Sequence, residues 1–300
     1  MTVHPNSLSR WISAFRLMRI PFSVYLMPVF WMALSLTDGA VPLHAVVVFA
    51  IIHLLVYPAS NGYNSWHDRD EGSIGGLKTP PRVTKELFWL VLLFDGLGLI
   101  LSWLISPLFF AGILVYTLVS KAYSQPTIRL KKYPILSAGV VSVFQGFWMF
   151  LTIQVGLGYS TDQLSAPVNV GFALISTLFL LGSYPLTQVY QHAEDSRRGD
   201  KTLSLLLGIN GTFFFARLVL GLAGLALTVM LILFTGPWNA MVFIIGMIPV
   251  LAYFELWFYR VRKDPAEADF ENTMWMNRWS SVSLSLVFII HLIIRSGWLF

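Results

Sequence analysis

The chain has 300 residues, of which 56% are hydrophobic and 12% charged, and its formal net charge is +5. This composition is typical of a protein embedded in a membrane and excludes a soluble domain with a single anchor. The chain has no cysteine, which excludes disulfides and thiolate chemistry. We expect a lipid bilayer around the protein and no nucleic-acid partner.

Apolar runs long enough to cross a bilayer recur along the whole chain, since a spanning helix needs roughly 20 apolar residues. The runs are continuous and do not alternate with polar residues, so they predict helices and exclude the strands of a barrel. Nine spans are predicted, at residues 17–36, 43–61, 86–105, 108–122, 136–157, 170–190, 212–235, 239–258 and 279–299. The predicted fold class is an all-α polytopic membrane protein with about nine transmembrane helices in a bundle. We expect residues 1–300 to form one domain.

Lysine and arginine sort to one side of these spans. They precede the first span and fill the loops after the second, fourth, sixth and eighth, whereas the opposite loops carry none and only Arg295 falls at the other end. By the positive-inside rule the amino terminus is cytoplasmic and the carboxyl terminus lies outside the inner (plasma) membrane. Two interpretations stay open for these basic residues. They set the orientation of the protein in the membrane, or they also form an anion-binding surface over the acidic clusters.

A polar cluster at the end of the second span is the most informative segment. Charged groups at a membrane boundary are costly without partners, so they usually mark function. If the helix continues past the membrane edge, Asn61, Asn64, Asp68 and Glu71 share one face, because they recur at three- and four-residue steps. Asp70 then points elsewhere.

A second polar cluster ends the sixth span. By the same rule Gln188, Gln191 (or His192), Asp195 and Arg198 share a face. Both clusters contain an amide, three residues, an Asp, a glycine-containing turn and a Lys. Their matched form, four helices apart, indicates a weak internal repeat in which the two clusters face each other.

Facing oxygen ligands suit Mg²⁺, which keeps several waters and often bridges to substrate phosphates. Nearby Lys and Arg side chains would bind the remaining phosphate charge. An apolar bundle interior beside them would hold a lipid tail. The clusters therefore indicate a substrate with a long hydrocarbon chain and a diphosphate head, although ordinary helix ends with solvated charges are the simpler interpretation.

On these residues the chain resembles the UbiA-type intramembrane prenyltransferase family, and the resemblance covers nearly the whole chain. The segment 64–71 fits the first half of the family's Asn-x-x-x-Asp-x-x-x-Asp motif, and the segment 191–203 follows its Asp-x-x-x-Asp-x-x-x-Gly-x-x-Thr-Leu motif. The segment 123–131 is similar to the family's loop between helices four and five. Gly72 and Gln191 stand where the family has Asp, so Asp70 or Glu71 must substitute in the first motif, and Glu194 and His192 are the candidates that could compensate in the second.

The resemblance implies a central cavity that opens near the cytoplasmic side. It implies Mg²⁺-dependent transfer of a prenyl group from a prenyl diphosphate to an aromatic or other small acceptor, with release of diphosphate, in lipid, quinone or pigment biosynthesis. The implied metal ligands are Asn64, Asp68, Glu71, Gln191 and Asp195, of which Asp68 and Asp195 are the catalytic pair. The implied diphosphate-binding residues are Arg69, Arg129, Lys131 and Lys201. The implied cation and acceptor cavity is lined by Tyr63, Tyr123 and Tyr190.

Two rival functions stay open. One is a transporter or lipid-binding membrane protein, in which the mid-helix Asp95 could be part of an ion path. We expect Asp95 instead to form a structural pair with His53, Gln145 or another polar group, or to line the cavity. The other is a non-catalytic protein of the same fold, since each Asp motif lacks one carboxylate. The sequence identifies neither the acceptor nor the prenyl chain length.

Overall fold

The computed structural model describes residues 7–296. Within that range every regular element is helical, apart from one isolated bridge between Ile74 and Leu77. The predicted all-α class is confirmed.

Nine helical spans long and apolar enough to cross a membrane lie in the described residues. They are α1 (Ser7–Ser35), α2 (Pro42–Asp68), α3 (Lys85–Ile105), α4 (Pro107–Ser124), α5 (Pro134–Gly156), α6 (Pro167–Arg198), α7 (Leu203–Phe234), α8 (Pro237–Lys263) and α9 (Phe270–Arg295). The predicted number of spans is confirmed. The predicted ninth span ended at residue 299, which lies outside the described residues.

Proline sets where several spans begin and where one changes pitch. The spans α4, α5, α6 and α8 begin at Pro107, Pro134, Pro167 and Pro237, since the first helical position needs no backbone N–H. Inside α6 the segment Tyr184–Gln191 is a 3₁₀ helix that contains Pro185. Proline removes one helical hydrogen bond and clashes with the preceding turn, so it interrupts the α-helix just before the second polar cluster.

The chain divides into two compact units. The first takes the chain up to Val24 together with Val46–Leu130, and the second takes Tyr25–Ala45 together with the chain from Lys131 onward. The expectation of a single domain stays a prediction.

The first unit has its core where α1, α2 and α3 meet. This core contains Leu17 and Met18 from α1, Ala59 from α2, and Leu87 and Val91 from α3. Ile74, from the loop after α2, is buried in the same cluster. The loop that follows the first polar cluster is therefore anchored in the core.

An ion pair joins α3 to α4 in the first unit. The Nζ of Lys121 lies 2.7 Å from a carboxylate oxygen of Asp95, and the side chains are 19% and 14% exposed. Asp95 therefore has the structural pair that was expected, with Lys121 as its polar partner, whereas His53 is bound to the backbone oxygen of Ser23. A carboxylate that is largely shielded from water requires a cation beside it. The long side chain of a lysine on the next helix can place its ammonium group there.

The second unit has an aromatic core between α7 and α8. The Phe213 ring stacks on Phe258 with centroids 5.2 Å apart and meets Trp257 edge-on at 4.6 Å. At the other end of the unit, Arg295 of α9 donates to the backbone oxygen of Ser35 (2.6 Å) and forms an ion pair with Asp38. Arg295, the exception to the basic-residue asymmetry, thus caps the carboxyl end of α1.

The Asp95–Lys121 pair gives a stability prediction. Replacing Lys121 by Met leaves the Asp95 carboxylate without its cation, which costs about 3–5 kcal/mol for a buried pair. We expect a lower Tm for Lys121→Met in thermal unfolding of the purified protein. The double variant Asp95→Leu/Lys121→Met removes both charges and should recover most of the loss. A wild-type Tm for Lys121→Met would contradict the assigned pairing.

Candidate active site

The first polar cluster lies on the last turns of α2, which ends at Asp68. Asn64 and Asp68 are one turn apart on the same helix face. Arg69 adopts the left-handed conformation (φ 50°, ψ 46°) and its N–H caps the carbonyl of Ser65. The expectation that the helix continues to Glu71 was wrong, because a left-handed residue ends it. Glu71 is exposed in the following loop. Its role as a metal ligand stays a prediction, because Glu71 is not on the helix and cannot share a helix face with Asn64 and Asp68.

The carboxylate of Asp68 lies beside the guanidinium of Arg129. The two side chains are 4% and 22% exposed, and Arg129 Nη1 lies 3.7 Å from Asp68 Oδ1. Arg129 is itself left-handed (φ 44°), in a turn closed by its N–H to the carbonyl of Gln125 at 2.7 Å. A predicted metal ligand and a predicted diphosphate ligand therefore lie together within the first unit.

Two polar contacts join α2 to α4 next to the motif. The Nδ2 of Asn64 donates to Ser124 Oγ at 2.8 Å, and one turn earlier the hydroxyls of Ser60 and Ser120 are 2.5 Å apart. Sequence reasoning missed Ser124. One signal was available: Ser60 and Asn64 are four residues apart on α2, and Ser120 and Ser124 have the same spacing on α4.

The ring of Tyr63 already faces a cation. Lys121 Nζ lies 4.6 Å from its centroid, and the His67 ring meets it at 4.5 Å. A carbocation at the same ring would be repelled by Lys121. The contact thus disfavours the predicted role of Tyr63 in the cavity. Tyr123, on α4 beside Ser124, is partly buried.

The loop after α2 is held against α1. The guanidinium of Arg19 donates to the carbonyls of Gly75 (3.3 Å) and Asn61 (3.2 Å). A Cβ at Gly75 would come within 2.4 Å of the Phe22 ring, so only glycine fits there without a shift. Arg69, a predicted diphosphate ligand, is exposed, with its guanidinium 5.7 Å from the centroid of Trp66.

The second polar cluster lies at the end of α6 in the second unit. Gln191 ends the 3₁₀ segment, and Asp195 lies in the α-helical turns His192–Arg198. Gln188 is buried and accepts from the N–H of Ser204 at 3.2 Å. The Gln188 amide therefore caps the start of α7. The predicted shared face assumed an unbroken α-helix, whereas Gln188 and Gln191 lie in the 3₁₀ segment.

The turn from α6 to α7 brings an unpredicted carboxylate to the predicted Lys131. Gly199 is left-handed (φ 74°), and the N–H of Asp200 bonds to the carbonyl of Asp195 at 3.0 Å. Asp200 Oδ2 lies 3.8 Å from Lys131 Nζ, with side chains 5% and 12% exposed. Sequence reasoning missed Asp200, although it stands next to Lys201, which is exposed.

A chain of hydrogen bonds supports the same turn. His192 Nε2 lies 2.7 Å from Ser204 Oγ, and that hydroxyl lies 3.0 Å from Thr212 Oγ1. Thr212 in turn donates to the carbonyl of Gly208 at 2.8 Å. Tyr190, predicted to line the cavity, meets the Phe270 ring edge-on at 5.4 Å.

The donor atoms fit Mg²⁺ only together with ligands from a substrate. Among residues 7–296 no group of three or more His, Asp or Glu side chains lies close enough to hold a metal by itself. Asn64 and Asp68 nevertheless offer hard oxygen donors on one helix face. Mg²⁺ is commonly bound by one or two carboxylates plus substrate phosphates, which matches this donor set.

Known proteins share this architecture over nearly the full chain. A 4-hydroxybenzoate octaprenyltransferase from Aromatoleum aromaticum (strain DSM 19018 / LMG 30748 / EbN1) is 25% identical over 301 residues, which cover 96% of this chain and 97% of the relative. The structure of a UbiA homolog from Archaeoglobus fulgidus bound to DMAPP and Mg²⁺ matches with a TM-score of 0.69 and 17% identity, over 94% of this chain and 98% of that chain. A digeranylgeranylglyceryl phosphate synthase matches with a TM-score of 0.58 and 18% identity, over 95% and 98% of the two chains.

The family follows from a model that matches most of the chain. The model of the UbiA prenyltransferase family matches residues 25–281. The nine spans agree with a multi-pass membrane protein. The chain therefore belongs to the UbiA prenyltransferase family, which confirms both the predicted resemblance and the predicted enzyme class.

Proposed function

We propose that this protein transfers a prenyl group from a prenyl diphosphate to an aromatic acceptor, with Mg²⁺ as cofactor. The observation that carries the proposal is the shielded carboxylate of Asp68 beside Arg129 at 3.7 Å, on the helix face of Asn64. A carboxylate that can bind a metal ion thus lies beside a guanidinium that can bind a phosphate. Support also comes from the Archaeoglobus fulgidus homolog, which has been solved with DMAPP and Mg²⁺ and with GPP and Mg²⁺.

The proposed metal ligands are Asn64 and Asp68 in the first motif and Asp195 in the second, with Glu71 and Gln191 as further oxygen donors. When bound, Mg²⁺ neutralises the diphosphate and stabilises the charge that develops on the leaving group. Asp68 and Asp195 are the proposed catalytic carboxylates.

The basic side chains bind the diphosphate directly. Without substrate, Arg129 lies beside Asp68 and Lys131 lies beside Asp200. When the diphosphate binds, Arg129 and Lys131 contact its oxygens, and the exposed Lys201 and Arg69 add positive charge. Cations that are already positioned need no reorganisation as negative charge grows, which is the main electrostatic contribution to such a step.

The reaction breaks one bond and forms another. The allylic C–O bond breaks, and its electron pair leaves with the diphosphate. The acceptor ring attacks the same allylic carbon through a ring carbon, and the ring proton goes to solvent. We assign Tyr123 and Tyr190 to the apolar cavity around the allylic group, where an aromatic face stabilises a cation by roughly 0.5–2 kcal/mol.

The aromatic class of acceptor rests on the Aromatoleum aromaticum relative, whose name specifies 4-hydroxybenzoate. The orientation rests on the asymmetry of Lys and Arg. We propose that the protein lies in the inner (plasma) membrane with its amino terminus and both motifs on the cytoplasmic side. The two chain ends themselves lie outside the described residues 7–296.

The acceptor class gives the first prediction. Purified protein with Mg²⁺, GPP and 4-hydroxybenzoate should release diphosphate and yield a prenylated aromatic product, detected by mass spectrometry. Turnover with a glycerol phosphate but with no aromatic acid would contradict the aromatic acceptor. Binding of GPP without diphosphate release from any acceptor would favour the non-catalytic rival.

The catalytic carboxylates give the second prediction. Asp68→Asn and Asp195→Asn each keep the size of the side chain and remove a negative charge from the metal ligands. We expect diphosphate release to fall by about 10²-fold or more, the size of effect typical for a lost electrostatic contact in the transition state. Asp162→Asn, an equal loss of charge at an exposed position between α5 and α6, is the control and should keep its turnover. Full turnover in Asp68→Asn would rule out its assigned role.

The basic loop gives the third prediction, with adjacent lysines as test and control. Lys131→Gln removes a charged hydrogen bond worth roughly 1.5–3 kcal/mol, so the KM for prenyl diphosphate should rise about 10-fold or more. Lys132, exposed beside the Tyr133 ring (4.9 Å to the centroid), is the control, and Lys132→Gln should leave the KM unchanged. Equal KM changes in both variants would indicate a general charge effect without a specific contact.

A further inference from the structure

We propose that Ser124 is a positioning residue that orients the amide of Asn64, so that Oδ1 faces the metal and diphosphate. The inference rests on the proposed function, in which Asn64 is a metal ligand. Ser124 itself touches neither the metal nor the substrate in this proposal, and it acts only through Asn64.

The two ends of an asparagine amide are chemically opposite. The nitrogen end donates hydrogen bonds and repels a cation, whereas the oxygen end accepts them and binds one. Asn64 Nδ2 donates to Ser124 Oγ at 2.8 Å. Its Oδ1 accepts no hydrogen bond from residues 7–296, so both lone pairs stay available to a ligand. With Nδ2 on the Ser124 hydroxyl, the nitrogen lies on the α4 side and Oδ1 is turned away from it.

Ser124 is a rigid partner. Its side chain is buried at the end of α4, where solvent does not compete for Asn64. One turn earlier the hydroxyls of Ser60 and Ser120 join the same two helices, and Lys121 joins α4 to Asp95 of α3. Because the contacts at Ser120 and Lys121 hold the last turns of α4 in place, the position of the Ser124 oxygen is fixed before any ligand binds.

A fixed amide matters more in this chain than in the usual motif. With Gly72 in place of the last Asp, the helix face of the first motif offers one carboxylate and one amide. An Asp is symmetric with respect to rotation of its carboxylate, but an amide is a ligand in only one of its two orientations. Partners that orient metal ligands typically change metal affinity by about 10–100-fold when removed.

The experiment compares serines one turn apart. Ser124→Ala removes the acceptor of Asn64, whereas Ser120→Ala removes an equivalent contact between the same helices without touching Asn64. Ser124→Thr keeps the hydroxyl, and Asn64→Ala removes the proposed ligand. Mn²⁺ binding is measured by electron paramagnetic resonance with a non-hydrolysable prenyl diphosphate analogue, and Tm is measured for every variant.

We expect Ser124→Ala to weaken Mn²⁺ binding about 10–100-fold and Ser124→Thr to restore it to within about 3-fold of the wild type. Ser120→Ala should lower the Tm as much as Ser124→Ala does and leave Mn²⁺ binding unchanged. Equal weakening by both alanine variants would overturn the proposal, since helix packing would then explain the effect. Weakening by Asn64→Ala but not by Ser124→Ala would overturn the positioning role alone. Unchanged binding in Asn64→Ala would overturn the metal-ligand role on which the proposal rests.

Discussion

A carboxylate shielded from water requires a cation beside it, and this constraint joins separate elements of the protein. Asp95 pairs with Lys121, Asp68 with Arg129 and Asp200 with Lys131. In each pair the two partners come from different elements, so the requirement for charge neutralisation also fixes packing. The loop after α4 supplies Arg129 and Lys131 to carboxylates at the first and second motif segments, each within its own unit.

The distances divide these pairs into two kinds. Lys121 contacts Asp95 at 2.7 Å, the length of a charge-assisted hydrogen bond, and this pair belongs to the permanent structure. The Asp68–Arg129 and Asp200–Lys131 pairs are longer, at 3.7 Å and 3.8 Å. Attraction at that length neutralises charge. In the proposed function these two pairs exchange partners, with the cation moving to the diphosphate and the carboxylate to the metal.

Hydropathy and residue spacing predicted the architecture but not the contacts. Continuous apolar runs predicted nine spans, and motif spacing identified Asn64, Asp68 and Asp195 as candidate ligands. The end of α2 at Asp68 was not predictable, because a left-handed Arg69 has no strong sequence signal. The sequence did not predict that Lys121 pairs with Asp95 or that Ser124 contacts Asn64. Such contacts depend on which faces of two helices meet, whereas helical periodicity shows only which residues share a face of one helix.

The two missing Asp residues change how such a site assembles. Gly72 and Gln191 remove two negative charges from the motifs, and the remaining Asp68 is partly neutralised by Arg129. Weak attraction for a bare cation follows, so the diphosphate must supply much of the charge and several of the ligands. Metal and substrate binding then become mutually dependent. Under that dependence, the orientation of Asn64, a neutral ligand in the proposed function, would contribute a larger share of the affinity than it does among four carboxylates.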